Sequence, residues 1–309
     1  MQKKIAFMGT PNFAVPILKS IYQNGYDVSV VYTQPPRKSN RGQKLEKSAI
    51  HSLSETLTLG VRTPDKLNDN KVEYEFLKNL NLDLVIVVAY GQLIPKEFLS
   101  LSKAGYINLH ASILPKWRGA APIQRSVMNR DKETGISVMK INEKLDEGDI
   151  SHIFKIDIDP NENSESLSER LSVLASQKIS DVIDSILDKE ANFAPQDHSK
   201  ATYAKKIKKN EGLINWNDKA ENIIGKINGL FPYPGGYFIY QGERYKILRA
   251  EISFNKDQPG KVLSNDLEIS CGENSIKILE IQREGKKSQK INEFLLGSKI
   301  HKETNLLNV

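Results

Sequence analysis

The sequence predicts an α/β fold: a mainly parallel, doubly wound sheet followed by a small β-barrel. Three observations carry that reading. The chain opens as strand, helix, strand: an apolar run over residues 3–8 breaks at Gly9-Thr10-Pro11, helical spacing covers 13–23, and a second apolar strand covers 26–33. Such a repeat implies a right-handed crossover between parallel strands. Residues 83–89, DLVIVVA, are almost continuously apolar, as a central parallel strand buried on both faces must be. Beyond residue 211 short strands alternate with turns, over 236–241, 244–253, 260–264, 267–271, 275–282 and 291–296, which suits a small OB-like barrel. The expected organisation is a Rossmann-like domain over 1–191, a basic linker over 192–210 and an OB-like domain over 211–309.

The remaining elements follow from spacing and breakers. Gly25 stops the first helix. No G-x-G-x-x-G follows the first strand, which argues against a dinucleotide site and leaves Gly9 as a turn residue. Residues 34–47, QPPRKSNRGQKLEK, hold two prolines and five cations and read as a long exposed loop of the kind that often carries function and can hold phosphates. Helices are expected over 45–59 and 72–80, with a short one over 93–99. Tyr90-Gly91 closes the central strand at its carboxyl end, the side on which open parallel sheets bind ligands. A strand over 106–110, a helix over 122–129, strands over 134–141 and 150–158 and a helix over 164–191 complete the first domain. The linker carries Lys205-Lys206-Ile207-Lys208-Lys209, a run suited to a nucleic-acid backbone, and a helix over 218–227 opens the last domain.

Composition bounds the class. A chain of 309 residues suggests two domains, and 39% apolar with 27% charged residues supplies real cores. No apolar run approaches the roughly 18 residues of a membrane span. The first strand starts within four residues of Met1, leaving no room for a signal or transit peptide. One cysteine, Cys271, rules out an internal disulfide and a Cys-based zinc site. A cytoplasmic protein is expected. The net charge of +6 is uneven: from Lys205 onward 18 Lys and Arg face 13 Asp and Glu, a net +5. That bias points to a polyanion partner, nucleic acid first among them.

The chemistry concentrates between Tyr106 and Pro122. Side chains two apart on a strand share a face, so Asn108 and His110 point together. A polar pair at the end of an apolar strand is costly to bury without hydrogen bonds. The loop that follows is stiffened by Pro115, Gly119 and Pro122. Further on, Leu145-Asp146-Glu147-Gly148-Asp149 forms a tight acidic turn between two apolar strands. An amide donor, an imidazole proton shuttle and a carboxylate make a set suited to acyl transfer.

Asn108-x-His110-x-Ser112-x-Leu114-Pro115, Arg118-Gly119, Ala121-Pro122-Ile123 and Leu145-Asp146-x-Gly148-Asp149 together resemble the formyltransferases that use 10-formyltetrahydrofolate. The tail resembles the methionyl-tRNA formyltransferase family through Ala201-Thr202-Tyr203, Ile214-x-Trp216, Pro232-x-Pro234-Gly235, Pro259-Gly260-Lys261-Val262 and Phe294-Leu295-x-Gly297. Ile113 stands where that family usually has Leu, and Asn40 and Asn210 are lesser departures. The resemblance implies formyl transfer from 10-formyltetrahydrofolate to methionyl initiator tRNA, with Asn108, His110 and Asp146 catalytic. Asp146 would either orient His110 or take the amine's proton. The backbone of Ser112, Ile113, Leu114 and Pro115 would lie along the folate, with Gly91 and Gly148 beside it. Arg41 and Lys44 in the basic loop, and Lys205, Lys206, Lys208 and Lys209 in the linker, are the expected tRNA contacts. A monomer without metal or membrane attachment is expected. Glycinamide ribonucleotide formyltransferases share Asn-x-His-x-Ser but lack a basic tail.

Overall fold

The computed structural model describes residues 3–39, 44–298 and 300–307 of the chain, with Lys38, Ser39 and Lys44 described by their backbone alone. The chain divides into two compact units, one of residues 1–119, 134–156 and 168–203, the other of residues 120–133, 157–167 and 204–309.

The first unit is built on a seven-stranded sheet in the order Ile150–Asp157, Glu133–Lys140, Tyr106–His110, Leu84–Val88, Lys4–Gly9, Asp27–Tyr32, Val61–Arg62. The strands from Tyr106–His110 to Val61–Arg62 are parallel, and Glu133–Lys140 runs antiparallel beside Tyr106–His110. Leu84–Val88 is buried along its whole length, as its unbroken apolar run requires. Helices α1 (Val15–Gln23), α2 (Ala49–Thr56) and α3 (Lys71–Asn79) connect the parallel strands. Strand order reverses between Lys4–Gly9 and Leu84–Val88, and ligands of open parallel sheets bind at the carboxyl side of such a switch. There the Thr10 hydroxyl donates to the Tyr90 carbonyl at 2.8 Å, and the Gln34 amide donates to the same oxygen at 3.3 Å.

Several expected elements change on folding. The 34–47 segment is not all loop, because Arg37–Ser39 and Lys44–Glu46 pair as an antiparallel ladder. Helix α2 therefore starts at Ala49 rather than 45, where the Ser48 hydroxyl caps it by accepting from the His51 amide at 3.0 Å. Residues 93–99 give a 3-10 turn, Lys96–Ser100, after Pro95.

In the second unit, α4 (Pro122–Met128) packs against α6 (Ala220–Gly229), and a Cβ at Gly225 would collide with the Met128 carbonyl. α5 (Ser164–Leu187) spans the division of the two units. The strands Gly236–Tyr240, Glu243–Ser253, Ser275–Arg283, Glu268–Ser270 and Ser288–Lys290 form a five-stranded antiparallel sheet. Its core includes Trp216, Phe238, Tyr245 and Phe294, with Phe238 stacked on Tyr245 at 5.3 Å. Residues 260–264, expected as a strand, make only isolated bridges such as Val262 to Ile269. Residues 291–296, also expected as a strand, form helix α7 (Ile291–Leu295). Ile291, Phe294 and Leu295 lie at i, i+3 and i+4, a helical stripe that a short apolar run disguises.

One buried ionic cluster fastens the edge of the parallel sheet. The Tyr32 hydroxyl donates to Glu73 at 2.6 Å, and Arg62 donates twice to the same carboxylate, at 2.5 and 2.8 Å. Burial alone would push the Glu73 carboxyl up, but the bonds from Arg62 and Tyr32 outweigh it and hold it below the usual carboxylate range. A lowered folded value stabilises fully above the unfolded-state pKa and is lost as pH falls through the folded one. Glu73→Gln should therefore cost about 1–3 kcal/mol at neutral pH, since Arg62 stays partly solvated. The same variant should lose stability less steeply on acidification, which urea unfolding from pH 7 to 3 checks.

Candidate active site

The strand Tyr106–His110 places Asn108 opposite Val87 on one neighbour and Met139 on the other. Asn108 and His110 emerge on the same face, as alternation demands. Asp146, from the turn between the last two strands of the sheet, reaches both. The Asn108 amide donates to Asp146 Oδ1 at 3.4 Å, and His110 Nδ1 lies 3.6 Å from Asp146 Oδ2. Oδ2 also accepts the Gly119 backbone N–H at 2.8 Å. His110 and Asp146 are 6% and 8% exposed, so their mutual contacts act with little solvent screening.

The second imidazole nitrogen decides the tautomer. His110 Nε2 lies 2.9 Å from the Trp117 carbonyl oxygen. A carbonyl only accepts, so Nε2 carries the hydrogen and Nδ1, facing Asp146, is the nitrogen that gains or loses a proton. Trp117 and Asp146 have φ of +63° and +54°, left-handed conformations that L-residues rarely adopt, and Ala89 has φ +48°. Backbone outliers of this kind concentrate at functional sites.

The loop after His110 is held from within. The Ser112 hydroxyl donates to the Lys116 carbonyl at 2.6 Å and is fully buried. Ser137 donates to the Ser112 carbonyl at 2.7 Å and accepts from the Leu114 N–H at 3.0 Å. The side chains of Ser112 and Leu114 are therefore turned inward, whereas Ile113 and Pro115 stay half-buried. The peptide before Pro115 is cis. Gly148 has a reason that sequence spacing did not suggest: a Cβ there would collide with the Lys140 carbonyl, so glycine is required by the protein's own backbone. Gly91 has φ +84° and sits by the Gln34 side chain, whose Oε1 accepts from Arg37 at 2.8 Å.

Two residues complete the surroundings: Arg118, read from sequence as a motif residue without a site role, and Gln196, which sequence reasoning did not single out. Arg118, 1% exposed, donates to Gln196 Oε1 through Nε and Nη2 at 3.0 and 2.7 Å and pairs with Glu147 at 3.4 Å. Gln196 donates in turn to the carbonyls of Asp146 and Gly148 at 2.9 and 2.8 Å. Gln196 lies in the stretch read as linker, where no periodicity signals a buried residue.

Of the expected nucleic-acid contacts, Lys205, Lys206, Lys208 and Lys209 are exposed in the second unit. Arg41 lies outside the described residues, and Lys44 is described by its backbone alone. Among the described residues no group of three His, Cys, Asp or Glu is placed to hold a metal, and no helix is long and apolar enough to cross a membrane.

Residues 3–183 match the family model described as formyl transferase, and residues 206–299 match that of the formyl transferase C-terminal domain, so the chain belongs to the formyl transferase family. Among the relatives it resembles end to end is methionyl-tRNA formyltransferase of Pelagibacter ubique, 61% identical over 310 residues and 100% of both chains. Solved structures share the fold, two among them as follows. HypX from Aquifex aeolicus, in complex with tetrahydrofolic acid, is 15% identical with a TM-score of 0.65 over 98% of this chain. The chain spans about half of HypX, 49% of its length. The N-formyltransferase from Helicobacter canadensis, in complex with folinic acid and dTDP-3-aminofucose, is 19% identical with a TM-score of 0.68, over 90% of this chain and 99% of that one.

Nitrogen NMR of the histidine ring tests the site's geometry directly. At a pH where His110 is neutral, its hydrogen should reside on Nε2, held by the Trp117 carbonyl. A ring protonated on Nδ1 would contradict the arrangement.

Proposed function

We propose that the chain transfers the formyl group of 10-formyltetrahydrofolate to the α-amino group of methionyl initiator tRNA. The observation that carries the reading is the convergence of Asn108 and His110 on Asp146 within 3.4 and 3.6 Å at the carboxyl end of the central sheet. End-to-end likeness to a methionyl-tRNA formyltransferase supports the acceptor. Bound tetrahydrofolic acid and folinic acid in the fold's relatives support the donor.

In this reaction the amine attacks the formyl carbon and its carbonyl oxygen becomes an oxyanion. The Asn108 amide has two hydrogens; one reaches Asp146, and the other is available to the oxyanion. A donor of this type contributes roughly 10²–10³-fold to kcat. His110 takes the amine's proton at Nδ1, beside the Asp146 carboxylate, which stabilises the imidazolium so formed. The same proton then passes to N10 as the C–N10 bond breaks, so the proton count closes without an outside acid. Of the two roles open to Asp146, its contacts favour orienting and stabilising His110 over acting as base. Ile113 and Pro115 are the loop side chains left to line the folate, while Ser112 and Leu114 contribute backbone; Gly91 and Gly148 shape the turns around it.

The amino-terminal part carries the chemistry and the carboxyl-terminal part the RNA contacts. The net +5 of the last third and the exposed Lys205, Lys206, Lys208 and Lys209 suit a phosphate backbone, and Arg41 and Lys44 belong to the basic 34–47 stretch of the sequence nearer the start of the chain. The protein acts as a cytoplasmic monomer, where its tRNA substrate resides, and uses no metal.

Labelled 10-formyltetrahydrofolate offered in parallel with methionyl-tRNA, glycinamide ribonucleotide and a dTDP-amino sugar should label the tRNA alone. Label on a small amine instead would keep the chemistry and overturn the acceptor. No transfer to any of the three would overturn the enzyme reading.

A further inference from the structure

We propose that Gln196 is a positioning residue for the transfer, acting through Asp146; this rests on the catalytic reading of Asp146 above. Gln196 is 6% exposed, and its carboxamide spends all of its hydrogen-bonding capacity. Its Nε2 donates both hydrogens, to the carbonyls of Asp146 at 2.9 Å and Gly148 at 2.8 Å. These carbonyls flank Glu147, so one amide group spans the turn that presents the Asp146 carboxylate. Asp146 holds φ +54°, a conformation that persists only where surrounding structure fixes it. Gln196 supplies that restraint.

Arg118 sets the direction of the amide. Its guanidinium donates twice to Gln196 Oε1, at 3.0 and 2.7 Å. Flipping the amide would set its NH2 against a cation that only donates, and its oxygen against two carbonyls that only accept. Arg118 is itself fixed, 3.4 Å from Glu147 Oε1 and 3.2 Å from His198 Nδ1. The order of control runs from Arg118 to Gln196, from Gln196 to the turn, and from the turn to the carboxylate that meets Asn108 and His110. Gln196 touches no reacting atom in this scheme; it sets where Asp146 stands.

Two replacements separate this role from packing. Gln196→Met keeps the volume and loses every hydrogen bond. Gln196→Glu keeps an acceptor for Arg118 but turns a second acceptor on the two carbonyls. Each should lower kcat about 100-fold, the effect of a misplacement on the order of 1 Å. KM for both substrates should stay within about twofold, because no ground-state contact is removed. In an Asp146→Asn background the Gln196 replacements should cost almost nothing further, since the two residues act as one unit. Full kcat in Gln196→Glu, even with a lowered melting temperature, would make Gln196 a structural residue and overturn the proposal. An undiminished loss in the Asp146→Asn background would overturn it equally, by showing that Gln196 acts elsewhere. Normal turnover in Asp146→Asn alone would instead sink the catalytic reading on which the proposal rests.

Discussion

The Asp146 carboxylate is the constraint on which the site depends. A carboxylate 8% exposed is tolerable only when its oxygens are engaged. Here the partners come from separate stretches of chain: the Asn108 amide and His110 ring from a central strand, and the Gly119 N–H from the loop beyond it. Satisfying Asp146 therefore fixes the position of a strand end and a loop at once. The demand is electrostatic, and its consequence is geometric.

The parallel sheet supplies the rigidity that this demand presumes. Asn108 and His110 point together because they sit two apart on a strand hydrogen-bonded on both sides. The loop that follows is fixed by Ser112, Ser137 and the Trp117 carbonyl, so the imidazole has one tautomer to offer. Gly148 contributes through space it leaves free, since any side chain there would drive the acidic turn off the Lys140 backbone. Each of these features holds a group in a fixed place, the kind of preorganisation that the proposed chemistry calls for.

Much of this was legible in residue patterns, for identifiable reasons. A strand buried on both faces advertises itself as a continuous apolar run, so Leu84–Val88 was readable, and alternation along the shorter strand Tyr106–His110 made the shared face of Asn108 and His110 readable too. The acidic turn was readable between its two strands, whereas the choice of Asp146 over Glu147 and Asp149 within it came from the likeness to the formyltransferases. Short amphipathic pieces were not: α7 over Ile291–Leu295 is one turn and a half, too short for its period to outweigh a strand reading. Nor was the ladder of Arg37–Ser39 with Lys44–Glu46, whose residues are polar on every position but Leu45. Gln196 and the burial of Arg118 escaped because their logic is tertiary. A buried cation and a buried amide are intelligible only once it is known that each satisfies the other.

The most direct test of the central claim is single-turnover formyl transfer by Asn108→Ala and by His110→Ala, each with folding checked by unfolding midpoint. The account predicts a loss of roughly 10²–10³-fold for the amide donor and about 10²–10⁴-fold for the proton carrier, in proteins that remain folded. Near-normal rates from either variant would contradict it, because the Asp146 carboxylate would then be gathering groups that the reaction does not use.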